Sequence, residues 1–134
     1  LHPGRVSVYI GYDETRAHQL VAGADVIAVP SRFEPCGLTQ LYGLRYGALP
    51  LVHRVGGLAD TVVDASARNI EDGSATGFAF DDFSAAGLKA ALRRAFELHA
   101  RPQEWQRVQR TAMHQRFDWA DVAARYLSLY RSLA

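Results

Sequence analysis

The sequence has 134 residues, of which 49% are hydrophobic and 22% are charged, and its formal net charge at pH 7 is +1. This length and composition predict one soluble globular domain with a substantial core. A transmembrane helix is not expected because the sequence has no run of about 18 apolar residues, and its single cysteine excludes an internal disulfide. Residues 1–5 lack the features of a signal peptide and are typical of the later part of a longer protein, with cytoplasm as the expected compartment.

Charge is distributed unevenly along the chain. Residues 1–83 carry six basic and ten acidic side chains, whereas residues 84–134 carry nine basic and four acidic ones. The basic residues of the second half are spread between apolar positions without a compact run, which is typical of solvated helix faces. We therefore expect neither a nucleic acid nor a membrane as a partner.

The first predicted elements are a strand over residues 6–10 and a helix over residues 14–23, with Asp13 as its N-cap. Residues 26–29 form an apolar run that predicts a buried parallel strand. A turn then leads into a helical pattern over residues 38–46. The order strand, turn, helix has thus appeared twice.

The turn before this helix predicts an anion site. Pro30 and Pro35 cannot donate backbone hydrogen bonds, so the helix should begin only near Gly37. Its first amides lack intrahelical partners, and Thr39 adds a hydroxyl, which suits a phosphate. Glu34 lies three residues before Gly37, where a carboxylate could meet the sugar end of a phosphorylated ligand. The turn therefore suggests a sugar phosphate.

A third strand is predicted over residues 49–55, interrupted by Pro50, and the pair Gly56–Gly57 leads into a helix over residues 58–64. Residues 65–76 are small, polar and acidic and predict an exposed loop, and residues 77–80 predict a short final strand. This alternation predicts an α/β fold in which helices cover a parallel sheet.

Residues 84–134 show only helical patterns. Ser84, Pro102 and Asp118 mark the starts of three helices. The side chains predicted to pack in the core or against another domain are Leu88, Ala91, Leu92, Ala95 and Phe96, then Trp105, Val108 and Ala112, then Trp119, Val122, Tyr126 and Tyr130.

Ligands of parallel α/β sheets bind beyond the carboxyl ends of the strands. Tyr12, Glu34 and the pair Gly56–Gly57 all follow predicted strands, so we expect them to line one cleft. The five histidines show no ligand spacing, and a zinc site is not expected.

Residues 30–43, which read PSRFEPCGLTQLYG, closely resemble the signature of bacterial glycogen synthases and plant starch synthases. Residues 56–62 (GGLADTV), 10–12 (IGY) and 45–47 (RYG) also match the pattern of this family. The resemblance covers essentially the whole chain.

The resemblance implies a retaining glycosyltransferase that moves glucose from ADP-glucose to the non-reducing end of an α-1,4-glucan such as glycogen. Such enzymes have two Rossmann-like domains. The chain, residues 1–134, would be the later part of the C-terminal, nucleotide-sugar-binding domain, with a sheet region to about residue 83 and a helical tail from about residue 84. The N-terminal acceptor domain would be absent, so the chain alone is expected to be inactive. No metal or other cofactor is implied, since ADP-glucose is the donor substrate.

Matching positions imply roles for the motif residues. Glu34 would stabilise positive charge at the anomeric carbon of the donor glucose. The backbone amides of Gly37 and Leu38 and the hydroxyl of Thr39 would hold the departing phosphate. Tyr12 would stack on the adenine ring.

Three further residues of the motifs would also contact the substrate. Cys36 would pack beside the ligand, and Gly56 and Gly57 would let the backbone approach the donor sugar. Simpler interpretations remain open: a carboxylate that only complements the helix dipole for Glu34, a reactive thiol for Cys36, and a plain turn for the glycine pair. Tyr12 could likewise be an ordinary surface aromatic.

Many related glycosyltransferases carry a second Glu eight residues after the first, where this chain has Tyr42. The glycogen and starch synthase branch also lacks that Glu, so one carboxylate must serve. Two other functions stay open at this point, namely a related glycosyltransferase that uses a UDP-sugar and a noncatalytic module that binds nucleotide or glucan.

Overall fold

A parallel three-stranded sheet forms the centre of the fold, and helices lie on both of its faces. The computed structural model describes residues 4–133. The helices are α1 (Glu14–Ala22), α2 (Thr39–Tyr46), α3 (Gly56–Thr61), α4 (Ala67–Glu71), α5 (Ala85–His99), α6 (Pro102–Met113) and α7 (Trp119–Ser132), and the strands are β1 (Val26–Val29), β2 (Leu49–His53) and β3 (Phe78–Phe80). The predicted α/β class and parallel sheet are confirmed.

The three strands lie in the order β1-β2-β3 and pair in parallel. The β1–β2 ladder begins with Val26 opposite Leu49, whereas the β2–β3 ladder begins later, with Leu51 opposite Phe78. The residue between these two starting points on β2 is Pro50, which has no N–H to donate. Because both pairs of strands are parallel, the carboxyl ends of all three strands lie at the same edge of the sheet.

Alternate residues of the strands enter two separate apolar clusters, because side chains of a strand point to opposite faces. On one face, the strand residues pack against α2, α5 and α6. On the other face, Val52 and Ala79 pack against Leu58 and Val62, which come from α3 and its C-terminal end. The buried members of the larger cluster include Leu44, Leu49, Leu51, Phe78, Phe80, Ala91, Ala95, Leu98, Trp105, Val108 and Ala112.

The strand predicted over residues 6–10 is wrong. Those residues have no strand assignment, and Val6, Val8 and Ile10 are 68%, 79% and 94% exposed. A β-strand needs a neighbour that accepts and donates its backbone hydrogen bonds. Within residues 4–133 no strand lies beside this segment, so its apolar pattern alone cannot make it one.

The exposed loop predicted over residues 65–76 is also wrong in part. It contains α4, in which the Ser66 side chain accepts a hydrogen bond from the Asn69 N–H at 3.2 Å. Ile70 is buried, as are Ala75 and Thr76. A five-residue helix with one buried apolar side chain has no detectable period, which explains why the sequence pattern missed it.

Two helical faces also differ from the prediction. In α5 the buried residues are Ala91, Ala95 and Leu98, while Phe96 is 69% exposed. In α7, Trp119 and Tyr130 are 76% and 63% exposed, so they do not belong to the core of residues 4–133. The packed face predicted for α6 is confirmed. No helix within the described residues is long and apolar enough to cross a bilayer.

Candidate functional site

The N-terminus of α2 offers free backbone donors. Its N-cap, Leu38, makes no side-chain capping hydrogen bond. Within residues 4–133, the N–H groups of Gly37, Leu38 and Thr39 donate to no protein acceptor. Since the helix dipole places partial positive charge at this end, the three amides suit an anion.

Gly37 gives this end of the helix its shape. Its φ of +75° lies in the left-handed region that favours glycine. A Cβ at this position would come within 2.5 Å of Gln40 Oε1, so a larger residue would push away the side chain that braces the loop.

The side chain of Gln40 supports this loop, and no motif in the sequence predicted that role. Its side chain is fully buried, and its Nε2 donates to the carbonyl oxygens of Cys36 and Gly37, both at 2.9 Å. Thr61 extends the same network from α3, since its hydroxyl accepts from Gln40 Nε2 at 3.3 Å and donates to the carbonyl of Gly57. A glutamine on the buried face of a short helix was the available signal, because a buried amide must find partners.

Glu34 is held by its main chain as well as by its side chain. Its carbonyl oxygen accepts from the Gly57 N–H at 3.1 Å, and its half-buried carboxylate accepts from the Ser31 hydroxyl at 3.4 Å. The carbonyl of Ser31 in turn lies 2.9 Å from Nδ1 of His53, a buried residue at the end of β2. The loop before α2 is therefore attached to β2 through Ser31 and to α3 through Glu34.

The pair Gly56–Gly57 permits this close packing of two loops. A Cβ on Gly56 would overlap the carbonyl of Glu34, and one on Gly57 would lie 2.6 Å from the Cα of Cys36. The Gly57 N–H is already used by Glu34, so Gly57 positions the carboxylate loop. Gly56 is exposed, and its N–H makes no hydrogen bond within the described part of the chain.

Tyr12 and Thr39 line one cleft of about 500 Å³ between the N-terminal part of α1 and α2. Tyr12 is 92% exposed, so one face of its ring is available for stacking. The other lining residues are Tyr9, Gly11, Asp13, Glu14, Arg16, Ala17, His18, Leu20, Val21 and Tyr42. An exposed aromatic ring and a hydroxyl at a helix N-terminus thus meet in the same depression.

The predicted site residues fall into two adjoining groups. Tyr12 and Thr39 share the cleft. Glu34, Cys36 and the glycine pair form the packed loops beside it, and Glu34 is not part of the cleft lining. Gly37 joins the two groups at the start of α2. Cys36 is exposed.

A second polar cluster lies outside the cleft and supports the sheet. Arg94 of α5 makes two hydrogen bonds to the Asp64 carboxylate at 2.8 and 2.9 Å and a third to the carbonyl of Ala79 at 2.8 Å. Asp64 also accepts from the Ala79 N–H at 2.7 Å. The hydrogen bonds that Arg94 donates to the Asp64 carboxylate raise the pKa of Arg94 above its usual value. This pair fastens α5 to β3.

The free amides at the start of α2 are suited to a phosphorylated ligand. The Tyr12 ring lies in the cleft on one side of them, and the loop that carries Glu34 lies on the other side. Within residues 4–133, no group of three or more His, Cys, Asp or Glu side chains is placed to hold a metal ion.

Comparison with known proteins identifies similar chains. Residues 3–111 match the model of the family described as glycosyl transferases group 1. A glycogen synthase of Albidiferax ferrireducens is 64% identical over 132 residues, which cover 98% of this chain and 27% of that protein. A glycogen synthase of Francisella tularensis subsp. novicida is 58% identical with the same coverage. The chain thus spans about a quarter of the length of these relatives.

Solved structures show the same likeness. The catalytic domain of starch synthase IV from Arabidopsis thaliana, bound to ADP and acarbose, superposes with a TM-score of 0.81 at 36% identity, covering 92% of this chain and 25% of that one. Sucrose-phosphate synthase from Thermosynechococcus elongatus gives a TM-score of 0.58 at 28% identity over 84% of this chain and 26% of the other.

Proposed function

Because the chain belongs to the glycosyl transferases group 1 family, we propose that it is the later part of the nucleotide-sugar-binding domain of a glycogen synthase. The whole enzyme transfers glucose from ADP-glucose to the non-reducing end of an α-1,4-glucan with retention of configuration. The observation that carries the proposal is the site motif itself, since its free amides, carboxylate and exposed tyrosine lie in a chain that is 64% identical to a glycogen synthase.

The leaving group is stabilised at the start of α2. Departure of ADP places negative charge on a phosphate oxygen. The free N–H groups of Gly37 and Leu38 and the hydroxyl of Thr39 donate hydrogen bonds to it, and the helix dipole adds to their effect. Gln40 fixes the two peptide groups that carry these N–H groups before ADP-glucose binds. The amides therefore need no reorganisation during the reaction.

The sugar end of the donor is served by Glu34. Loss of ADP leaves positive charge at the anomeric carbon, and a carboxylate nearby stabilises this charge more in the transition state than in the ground state. The hydrogen bond from the Gly57 N–H to the Glu34 carbonyl fixes the backbone that carries this carboxylate. The exposed N–H of Gly56 remains available to the donor sugar, and Cys36 packs beside it.

The base end of the donor lies in the cleft. Tyr12 stacks on adenine with its open ring face, while Thr39 reaches the phosphates from the same depression. No metal takes part in this proposal, and the acceptor glucan is held by the domain that precedes this chain in the full-length enzyme.

The test is glucose transfer by the full-length enzyme, measured as incorporation of labelled glucose from ADP-glucose into glycogen. We expect Glu34→Gln to lower kcat at least about a hundredfold, because it removes the charge and keeps the size. ADP affinity, measured by calorimetry, should change little. Glu71→Gln, an exposed carboxylate in α4, is the matched control and should retain full transfer.

Three outcomes would contradict the proposal. Unchanged transfer by Glu34→Gln would make the carboxylate a helix-end residue only. Equal use of UDP-glucose would overturn the ADP assignment. ADP binding with no transfer by the wild-type enzyme would indicate a noncatalytic module.

A further inference from the structure

An apolar groove of about 290 Å³ lies at the carboxyl edge of the sheet, apart from the cleft that holds Tyr12 and Thr39. Its lining residues are Pro30, Phe80, Phe83, Ser84, Ala85 and Leu88. None of them lines the cleft. Because Pro30 follows β1 and Phe80 ends β3, the groove opens at the same edge of the sheet as the loop that carries Glu34.

The loop before α2 joins this groove to the cleft. It begins at Pro30, which lines the groove, and leads to Thr39, which lines the cleft. Glu34 lies between them in the chain. In the proposed function the nucleotide occupies the cleft and the donor glucose lies at Glu34. The acceptor must therefore approach from the part of the site that the nucleotide leaves free, and the groove lies at that end of the loop.

The ring of Phe83 is the exposed aromatic surface of the groove. Phe83 is 44% exposed, whereas Phe80 is buried. The Phe83 ring lies 4.8 Å from the His53 ring, centroid to centroid, with an interplanar angle of 53°. Nδ1 of His53 lies 2.9 Å from the Ser31 carbonyl oxygen, and the Ser31 hydroxyl donates to the Glu34 carboxylate. His53 and Ser31 thus connect the ring to the carboxylate.

Arg32 adds hydrogen-bond donors beside the ring. Its guanidinium carbon lies 5.1 Å from the centroid of the Phe83 ring. Arg32 is exposed, and within residues 4–133 its side chain makes no hydrogen bond or ion pair. A guanidinium carries five N–H donors, and a sugar offers both hydroxyl oxygens and an apolar face of C–H groups. A flat apolar ring with free donors at its rim therefore suits a carbohydrate.

We propose that Phe83 and Arg32 bind a glucosyl unit of the α-1,4-glucan acceptor. The inference rests on the proposed function, in which the acceptor is a glucan, and it adds a contact from this chain to those of the preceding domain. The Phe83 ring packs against the apolar face of the sugar, and Arg32 donates to its hydroxyl groups. This unit lies further along the glucan than the reacting end, because His53 and Ser31 separate Phe83 from Glu34.

A simpler role for Phe83 is to form a hydrophobic staple. Ser84 is the N-cap of α5, so Phe83 directly precedes the cap and Leu88 is the fourth residue of the helix. Apolar side chains at these two positions often pack together and fix the entry of the chain into a helix. A staple needs an apolar side chain of any shape, whereas stacking on a sugar needs a flat ring. Phe83→Leu separates the two roles.

The experiment measures glucose transfer by the full-length enzyme to maltose and to maltoheptaose. Phe83→Leu should raise the KM for maltoheptaose about tenfold and leave the KM for ADP-glucose within about twofold. The KM for maltose should rise by a smaller factor, because a longer acceptor reaches further from Glu34. Phe83→Tyr keeps the ring and should retain the wild-type values. Phe96→Ala is the matched control and should behave as the wild type, since Phe96 is an exposed phenylalanine beside Val26 at the amino end of β1.

Arg32→Met tests the donors separately. It keeps the length of the side chain and removes its N–H groups. The KM for maltoheptaose should rise about fivefold, the worth of one hydrogen bond, with the KM for ADP-glucose unchanged. An increase in the KM for ADP-glucose alone would place Arg32 in the donor site and contradict its proposed role.

Other results would overturn the assignment of Phe83. An unchanged KM for maltoheptaose in Phe83→Leu would leave only the staple. Equal increases in the KM for ADP-glucose, maltose and maltoheptaose would mean that Phe83 supports the fold or contacts the preceding domain. If the wild type transfers no glucose, the proposed function falls first, and calorimetry with maltoheptaose decides the groove. Weaker binding to Phe83→Leu than to the wild type and Phe83→Tyr supports the contact, whereas equal binding or no binding to the wild type contradicts it.

Discussion

The N-termini of α2 and α5 lie at the same edge of one sheet and are built in opposite ways. At α5 the Ser84 side chain accepts a hydrogen bond from the Gly87 N–H at 3.1 Å. At α2 the corresponding residue is Leu38, which offers no acceptor. The α5 end is complete without a ligand, whereas the α2 end leaves its amides unpaired within residues 4–133.

The difference is one of stability, because the N-terminus of α2 lacks a contribution that the N-terminus of α5 has. A good N-cap contributes about 1 kcal/mol to the stability of a helix. Like α5, the helices α1 and α4 have such a cap, which is Asp13 for α1 and Ser66 for α4. The α2 terminus forgoes that contribution and compensates with the buried Gln40 network behind it. An uncapped helix end that is held rigid by its second layer is the arrangement expected of an anion site.

The largest predicted effect comes from breaking the rigid support of α2. Gly57→Ala should lower the free energy of unfolding by about 3 kcal/mol, because its Cβ would meet the fixed backbone of Cys36. Glucose transfer should fall with it, since the Glu34 loop must shift. Urea unfolding and the transfer assay would check this.

Gly23→Ala is the matched control for Gly57→Ala. Gly23 ends α1 with a φ of −94°, and a Cβ there would lie 3.3 Å from its nearest neighbour, the carbonyl oxygen of Gln19. Its stability should change by less than about 1 kcal/mol. Equal losses for the two variants would show that the contact of Gly57 with Cys36 is not the cause.

A smaller effect follows from giving α2 a charge at its uncapped end. Leu38→Asp removes a side chain that is 59% exposed and places a carboxylate beside the free amides. Stability should rise by up to about 1 kcal/mol, while the KM for ADP-glucose should rise about tenfold or more because the carboxylate repels the phosphates. Thermal unfolding and donor kinetics measure the two changes.

Ser84→Ala should do the reverse at α5. It should cost about 1 kcal/mol of stability and leave the KM for ADP-glucose unchanged. A rise in that KM equal to the one caused by Leu38→Asp would mean that the two helix ends do not differ in function.

The smallest predicted effect contrasts a charged cap with a neutral one. The hydrogen bond from the Arg116 side chain, together with one from the Ala120 N–H, lowers the pKa of Asp118, the N-cap of α7, from 3.8. A carboxyl with a lowered folded pKa stabilises above its unfolded pKa and loses that effect as pH falls through the folded value. Below about pH 5, amide exchange at the start of α7 should therefore become progressively faster relative to the start of α5.

Asp118→Ser provides the control for this pH dependence. A serine cap does not titrate in this range, so the exchange ratio of the two helix starts should become independent of pH. A ratio that is flat in the wild-type protein as well would contradict a role for the Asp118 carboxylate.

The sequence predicted the elements whose signals are local. The N-caps Asp13, Ser84 and Asp118 and the predicted end of α2 at residue 46 are all confirmed, because each depends on a side chain or a backbone angle within one turn. The failures concern features that depend on distant partners. Residues 6–10 have a strand composition but no neighbouring strand among residues 4–133, and the short α4 is defined mainly by burial of Ile70.

For the candidate site, sequence reasoning located the segments but not their connections. The free α2 terminus follows from Pro35 and Gly37 alone. The brace by Gln40, the pairing of Gly57 with Glu34 and the anchoring of Ser31 by His53 join positions 3 to 23 residues apart in sequence, and no local pattern encodes them. The functional roles of the motif residues stay predictions.

Pro50 in the central strand has a consequence for folding errors. Because it cannot donate a hydrogen bond, β3 has no partner there and its ladder starts only at Leu51. The Pro50 carbonyl and ring lie where a Cβ on Gly77 would stand, at 2.5 and 3.2 Å, so any residue larger than glycine is rejected from this place. A slipped alignment that moved β3 along β2 would bring a side chain against Pro50. Pro50 thus favours the one register of β3 on β2 that places Gly77 beside it. In this register Phe80 lies opposite His53, whose ring contacts the Ser31 carbonyl in the loop that carries the carboxylate.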